Sequence, residues 1–115
     1  MHDIEQLADA WRSQLRKGTL ELAVLLLLGR APRYGLQLVD DLNVAGLGVA
    51  EGSIYPLLSR LRTEGKVETE WVDRGVGHAH KVYRLSAHGE ACCAAMQAVW
   101  RDFSRGFERI AGGKR

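Results

Sequence analysis

The sequence predicts a mainly α-helical fold with one small β-hairpin, on three observations. One run has apolar residues at helical spacing, which indicates a helix with one buried side. These residues are Ile54, Leu57, Leu58 and Leu61. Gly65 follows where a left-handed helix cap is expected, and strand-like runs at 67–72 and 81–85 flank a glycine-rich tip. Helix, glycine stop, strand, tip and strand in this order describe a winged helix-turn-helix.

The first helix is predicted to begin after Asp3. Asp3 is suited to cap it because Gln6 lies three positions on, the spacing of a capping box. Apolar residues then recur at three- and four-residue spacing. They are Ile4, Leu7, Ala8, Trp11 and Leu15. Residues 1–16 are therefore predicted to form an amphipathic N-terminal arm.

Gly18 predicts a break after this arm. Thr19 can then cap a helix over residues 20–28, which is apolar nearly all round and so belongs in the core. The winged helix-turn-helix domain is predicted to span residues 17–85.

Three segments connect the core helix to the helix that contains Ile54. Residues 30–35 hold a proline and a glycine, which indicates a connection. Residues 36–42 are amphipathic and predict a second helix. Residues 43–52 contain three glycines and predict a turn. Two helices and a turn in this order complete the helix-turn-helix.

Ser86 is predicted to cap the last helix. Its apolar residues follow an a/d rhythm, and Trp100 and Phe107 widen the stripe. The a/d residues are Cys92, Met96, Val99, Phe103 and Ile110. A small three-helix core cannot cover so wide a stripe, so a second copy of the chain is expected to cover it. Residues 86–111 are therefore predicted to be a C-terminal dimerisation helix.

Size and composition bound the function. A chain of 115 residues, 46% of them apolar, predicts one globular domain. The longest apolar run is too short to cross a bilayer and the first residues lack a basic secretion start, so we expect a cytoplasmic protein without a membrane partner. The formal charge of +2 permits DNA binding without arguing for it. The sequence contains no recognisable catalytic or nucleotide-binding motif, so neither an enzyme nor a cofactor is expected.

The run from Gly52 to Leu61, followed by Gly65, resembles the recognition helix of the PadR family of transcriptional regulators. That family's usual pattern is a glycine, a small hydroxyl residue, an aliphatic residue, Tyr-Pro-Leu-Leu, a basic residue and a leucine ahead of a glycine. Further matching segments occur in the same order. They are residues 15–21, 34–35 and 83–85, and Gly89. The resemblance covers residues 15 to about 110 and implies a homodimeric regulator, most simply a repressor, of a palindromic operator in double-stranded DNA.

In such a fold the recognition helix enters the major groove and the hairpin contacts the DNA backbone or minor groove. Tyr55 and Ser53 would donate hydrogen bonds to phosphates, while Arg60 and Arg62 could reach phosphates or a guanine edge. The whole set of expected DNA contacts is Tyr34, Ser53, Tyr55, Ser59, Arg60, Arg62, Arg74, His78, His80 and Lys81.

The predicted hairpin tip departs from the family pattern. His78 and His80 stand where basic residues are usual, and an imidazole is largely neutral at neutral pH. Arg74 and Lys81 are then the permanent cations nearest the tip. We therefore expect weaker contact of the tip with phosphates at neutral pH.

The chain is similar to the short, multidrug-sensing PadR proteins, which have a single C-terminal helix. Those proteins place a tryptophan at what looks like the position of Trp100, and two copies of it face each other across the dimer axis. The resemblance implies a planar aromatic effector between two Trp100 side chains. The expected dimer and effector residues are Trp11, Met96, Val99, Trp100, Phe103 and Phe107.

Two alternatives are open at this point. The near-neutral charge and the missing wing arginines favour a winged-helix module that binds protein. The other alternative keeps DNA binding but senses a metal or a thiol reaction at Cys92 and Cys93, since His88 and Cys92 are four apart on one helix face. Against a metal site, His78 and His80 are expected at the hairpin tip and Cys92 fits the apolar stripe. We assign no metal ligands, and reduced thiols are the simple expectation.

Overall fold

A computed structural model of the chain describes residues 3–73 and 79–113. Within these residues four helices and three strands are present. In chain order they are α1 (Ile4–Arg30), β1 (Arg33–Tyr34), α2 (Gly35–Val44), α3 (Glu51–Thr63), β2 (Val67–Asp73), β3 (Ala79–Leu85) and α4 (Ala87–Ala111). The strands form one antiparallel sheet in the order β1-β3-β2. The predicted fold, mainly helical with a winged helix-turn-helix, is confirmed.

α1 is one continuous helix, so the predicted break at Gly18 is wrong. The capping box of Asp3 and Gln6 is confirmed, since each side chain accepts a hydrogen bond from the other's backbone N–H. Thr19 does not cap a second helix, because its Oγ1 donates to the carbonyl of Leu15 one turn earlier, at 2.7 Å. A glycine inside a helix costs about 1 kcal/mol relative to alanine, and the contacts of α1 with α2, α4 and the sheet outweigh that.

The core lies where the C-terminal half of α1 meets α2, α3 and the sheet. Its largest fully buried side chains are Val24, Leu25, Leu38, Leu42, Ile54, Leu58 and Leu61. Burying an aliphatic side chain of this size stabilises a fold by about 1.5–3 kcal/mol. The prediction that residues 20–28 belong in the core is confirmed for most of the run, with Leu26 exposed.

Strand β1 was not predicted, because its two residues were assigned to a connection. Arg33 pairs with Tyr83 and Tyr34 pairs with Val82 on β3. The Arg33 guanidinium also donates from Nε to Asp41 of α2 at 2.7 Å. This short strand therefore joins the start of α2 to the sheet.

Gly65 ends α3 as the sequence predicts. Its φ is +76°, and the N–H groups of Gly65 and Lys66 donate to the carbonyls of Arg62 and Leu61, the hydrogen bonds of a Schellman motif. A residue with a Cβ would be strained at this φ. The chain consequently turns directly from α3 into β2.

β2 and β3 form the hairpin, with Val67 opposite Leu85 and Asp73 opposite Ala79. β2 agrees with the predicted run 67–72 to within one residue. β3 begins two residues earlier than the predicted run 81–85, which extends the sheet toward the tip.

Ser86 caps α4, as predicted. Its Oγ accepts a hydrogen bond from the N–H of Gly89 at 2.9 Å and donates to the carbonyl of Gly65 at 2.6 Å. A Cβ at Gly89 would lie 2.0 Å from the carbonyl oxygen of Lys66, so this position requires glycine. The beginning of α4 is thus held against the α3–β2 corner.

The described part of the chain is elongated. Its radius of gyration is 16.8 Å, against about 13 Å for a compact chain of this length. The first half of α1 has almost only exposed side chains, and α4 has few buried ones beyond its first two turns. The two helix segments therefore extend beyond the globular core.

Candidate nucleic-acid interface and apolar groove

α3 buries one side and exposes the other. Ile54, Leu58 and Leu61 are fully buried in the core. The predicted contact residues on α3 are all exposed. They are Ser53, Tyr55, Ser59, Arg60 and Arg62. The helix therefore presents hydroxyl and guanidinium groups on a surface that can enter the major groove of a DNA duplex.

Tyr55 is held against the start of α2. A Cβ at Gly35 would lie 2.5 Å from Cε1 of Tyr55, so the tyrosine ring lies directly over this glycine. Tyr55 keeps 40% of its surface exposed. Burial and the neighbouring Tyr55 raise the pKa of the Tyr83 hydroxyl, and the positive charge of Arg62 partly opposes this. Tyr55, Arg62 and Tyr83 thus lie close together where α3 meets the sheet.

Arg60 belongs to an ion-pair cluster on the other flank of α3. Its guanidinium lies 2.9 Å from Glu21 of α1 and 3.1 Å from Glu64, and Lys66 Nζ lies 2.9 Å from each of these carboxylates. Burial alone would raise the pKa of Glu21, but the hydrogen bonds and charges of Lys66 and Arg60 outweigh it and lower that pKa. The hydrogen bond to Glu21 raises the pKa of both Lys66 and Arg60. The cluster joins α1 to the end of α3.

The structure corrects the expected position of His80 in the wing. His80 lies inside β3 and not at the tip, and its ring stacks on Tyr34 with centroids 4.9 Å apart. The stack follows from the unpredicted strand β1, which brings Tyr34 beside β3. Lys81 Nζ lies 5.7 Å from the centre of the Tyr83 ring. Arg74 and His78, also predicted to contact DNA, lie outside the described residues.

An apolar groove of about 840 Å³ lies between α1 and α4. It brings together all the predicted dimer and effector residues. Its lining is Trp11, Gln14, Leu15, Gly18, Thr19, Leu22, Ala95, Met96, Val99, Trp100, Phe103, Ser104 and Phe107. Sequence reasoning missed the contribution of the middle of α1, because the predicted break at Gly18 separated Leu15 from Leu22.

The aromatic side chains of the groove are largely exposed on one chain. Trp11 is 59% exposed, Phe103 is 64% exposed and Phe107 is 66% exposed. Phe103 and Phe107 contact each other edge to face, with centroids 6.5 Å apart. Met96 packs against the core and also lines the groove. An apolar surface of this extent is typical of a binding site or a subunit interface.

The two cysteines occupy different environments, which corrects the prediction that Cys92 packs in the apolar stripe. Cys93 is the buried thiol, and burial raises its pKa. Cys92 is partly exposed, and its Sγ lies 3.6 Å from Nε2 of His88 one turn earlier. The helix turns by about 100° per residue, so adjacent cysteines must point in different directions.

Within residues 3–73 and 79–113, no three His, Cys, Asp or Glu side chains are placed to hold a metal ion. No helix of the described chain is long and apolar enough to cross a membrane.

Two further surface features escaped the sequence reasoning. Trp71 on β2 is 70% exposed. Its strand partner is Lys81, and only the register between β2 and β3 places the two on one face. A smaller cleft of about 340 Å³ places Arg16 and Lys17 of α1 near Ser53. Arg16 donates to the carbonyls of Leu47 and Gly48 there, a contact that no sequence pattern indicates.

Comparison with known proteins agrees with this geometry. The sequence family described as the transcriptional regulator PadR-like family matches residues 24–95. A PadR family transcriptional regulator from Eggerthella lenta DSM 2243 is 31% identical, with a TM-score of 0.83 over 93% of this chain and 94% of that chain. A PadR-like transcriptional regulator from Bacillus cereus strain ATCC 14579 is 30% identical, with a TM-score of 0.79 over 85% of this chain and 96% of that chain.

The crystal structure of Bacillus subtilis PadR in complex with operator DNA shares the fold. It is 23% identical, with a TM-score of 0.62 over 68% of this chain and 46% of that chain. The chain matches none of the curated proteins. The family match covers more than half of the chain, and the Eggerthella lenta and Bacillus cereus regulators are each at least 30% identical over most of it. The chain therefore belongs to the PadR-like family of DNA-binding transcriptional regulators.

Proposed function

We propose that the protein is a homodimeric repressor that binds a two-fold symmetric operator and releases it when a planar aromatic compound occupies the dimer interface. One observation supports this most: a single chain presents two separate surfaces of opposite chemistry. The exposed side of α3 carries hydroxyl and guanidinium groups, whereas the groove between α1 and α4 is apolar. We assign residues 17–85 to DNA, and residues 1–16 and 86–111 to the dimer.

The DNA contacts are assigned to exposed residues of α3 and the hairpin. Ser53, Ser59 and Tyr55 would donate hydroxyl hydrogen bonds to phosphates and fix the register of the helix. Arg62 has no ion-pair partner among the described residues, so its guanidinium can reach a phosphate or a guanine edge. The Bacillus subtilis relative that was solved with operator DNA supports this use of the fold.

Other predicted contacts have partners within the chain. Arg60 would have to leave Glu21 and Glu64 to reach DNA, so we rank it after Arg62. The ring of His80 stacks on Tyr34, which would orient both toward the backbone beside α2. Lys81 supplies a cation of β3 whose Nζ lies near the Tyr83 ring.

Anisotropy titration with labelled promoter DNA from the protein's own locus tests the DNA contacts. Arg62→Ala is expected to cost about 1–3 kcal/mol in affinity, and the affinity of the wild type should fall steeply with salt. Arg30→Ala is the matched control, since Arg30 is exposed at the end of α1 and belongs to neither the proposed DNA contacts nor the dimer arm. Equal affinity of both variants and the wild type, with a flat salt response, would favour the alternative of a protein-binding module.

A second copy of the chain is the proposed cover for the aromatic side chains of α1 and α4. Trp11, Phe103 and Phe107 form a stripe that a monomer leaves in water. Two copies related by a two-fold axis would also place two recognition helices on successive turns of a duplex. Sedimentation at low micromolar concentration should therefore show twice the chain mass, and a monomer under these conditions would contradict the proposed architecture.

The effector site is assigned to the groove beside Trp100. Indole and phenyl faces suit flat aromatic guests, and the groove is large enough for a drug-sized molecule. α1 runs from the arm into the proposed DNA-binding domain without a break. A shift of the arm would therefore also move α3, because Glu21 of α1 pairs with Arg60 near the end of α3. A ligand between the two copies could therefore change the spacing of the recognition helices.

Titration with a panel of aromatic dyes, followed by tryptophan fluorescence, tests this assignment. Dyes should bind the wild type and bind Trp100→Ala at least tenfold more weakly. Trp71→Phe is the control, because Trp71 lies outside the groove. Equal binding to Trp100→Ala and the wild type, or binding to neither, would make Trp100 a packing residue.

A further inference from the structure

Among the described residues, Trp71 is the exposed aromatic side chain that the proposed contacts leave unexplained. It lies in the middle of the hairpin strand β2, yet 70% of its surface is accessible. An indole ring exposed on a β-strand has no role in the core of this fold. It adds apolar surface in a part of the chain distant from the groove between α1 and α4.

The strand register shows which way Trp71 points. Trp71 is directly opposite Lys81, and Thr69 is directly opposite Tyr83. Directly paired residues lie on one face of the sheet, and so do alternate residues along a strand. Trp71 therefore shares its face with Lys81 and Tyr83. Tyr83 is buried on that face, and Arg62 of α3 is close enough for its positive charge to act on the Tyr83 hydroxyl.

The charges on the two faces of the hairpin differ. Glu68 and Glu70 lie an odd number of positions before Trp71 in β2, so their side chains are on the opposite face of the sheet. Glu70 pairs there with Arg84. On the face of Trp71 the described charges are those of Lys81, of Arg62 beside it on α3, and of Arg33, which is opposite Tyr83 and whose guanidinium pairs with Asp41. This face therefore complements a polyanion and is continuous with the exposed side of α3.

We infer that Trp71 is a DNA-contacting residue, whose indole packs against the sugar–phosphate backbone along the minor groove next to the site read by α3. Its Nε1–H donates to a phosphate and Lys81 pairs with a neighbouring phosphate. Apolar and aromatic side chains at the minor groove add affinity without adding charge. This contact would supply affinity at a hairpin where histidines replace permanent cations. The inference rests on the proposed DNA binding.

The test begins with a 30-bp duplex that the full-length wild type enriches from a random library. Trp71→Ala should weaken binding to it about tenfold, and Trp71→Phe should restore most of the affinity. Lys81→Gln should lower the slope of affinity against salt by about one phosphate contact, whereas Trp71→Ala should leave that slope unchanged. Val44→Ala, which truncates another exposed apolar side chain, at the end of α2, is the matched control and should bind within about twofold of the wild type.

Hydroxyl-radical footprinting adds a measurement that a purely structural role would not affect. The wild type should protect sugars along the minor groove that flanks the site, and Trp71→Ala should lose that protection alone. Binding of Trp71→Ala within twofold of the wild type, or a wild-type footprint without flanking protection, would overturn the inference. If the wild type enriches no duplex at all, the proposed DNA function fails first and the inference fails with it.

Discussion

Gly89→Ala is predicted to be among the most destabilising single-methyl changes in this protein. Gly89 lies in the first turn of α4, where its missing side chain lets the helix approach the corner between α3 and β2. An added Cβ would lie 2.0 Å from the carbonyl oxygen of Lys66 and 2.8 Å from Cδ1 of Leu85. The leucine can rotate, but the carbonyl oxygen is backbone, and it accepts a hydrogen bond from the N–H of Ser86 at 3.1 Å.

The expected loss of stability in Gly89→Ala follows from the backbone displacement that the added Cβ requires. Relief of the clash requires a backbone displacement of about 1.4 Å to reach ordinary van der Waals separation. That displacement disturbs the cap in which Ser86 Oγ accepts from Gly89, worth about 1 kcal/mol. Overpacking adds about 1–3 kcal/mol. The expected loss is therefore about 2–4 kcal/mol, or about 8–16 °C in thermal midpoint for a domain of this size.

Gly29→Ala is the matched control, since a Cβ at Gly29 would contact Cδ2 of the same Leu85 at an ordinary 3.6 Å. This variant should gain about 0.5–1 kcal/mol from helix propensity. Circular dichroism melts at one protein concentration compare the two, because a dimer's midpoint depends on concentration. A midpoint for Gly89→Ala within 2 °C of the wild type, or the reverse order of the two variants, would refute the close packing argued for α4.

Three further predictions concern other sites. Glu21→Gln should lower the free energy of unfolding by about 1–2 kcal/mol at neutral pH. The folded-state pKa of Glu21 is below its ordinary 4.5, so the wild type should lose this extra stability as the pH falls from 4.5 through the folded-state pKa. Denaturant titrations at a series of pH values measure this loss. Gly35→Ala should displace the Tyr55 ring and weaken DNA binding by about 1–3 kcal/mol with little change in the melt, whereas equal loss of both would indicate a folding defect. Phe107→Ser should raise the dimer dissociation constant more than 30-fold, corresponding to about 2 kcal/mol; an unchanged constant in sedimentation would place the dimer contact elsewhere.

The elements that sequence reasoning predicted correctly depend on short-range patterns. The capping box at Asp3, the left-handed glycine after α3 and the cap at Ser86 are each decided by a few neighbouring residues. The prediction at Gly18 was wrong because it, too, depended on neighbouring residues alone. Local signals indicated a stop, but contacts of α1 with distant elements stabilise a continuous helix, and these contacts have no local signature.

The candidate site shows the same division. Periodicity alone predicted which face of α3 is exposed. It also predicted that the groove residues of α4 share one side of that helix, because the 3.6-residue repeat sets the sides of a helix. The ion pairs of Arg60, the stack of His80 on Tyr34 and the burial of Cys93 in place of Cys92 were not predicted. Each depends on how one element is rotated against another.

The order of elements, their amphipathic faces and the resemblance to PadR regulators were thus readable in the amino-acid sequence, because they are properties of neighbours along the chain. Tertiary structure decided which exposed residues are available as contacts. It placed Trp71 beside Lys81 on one face of the hairpin, and it brought Arg60 into an ion pair with Glu21, 39 positions away. The physical reason is that a side chain's partners are chosen by distance in space, and that distance is fixed only when the helices and the sheet pack together.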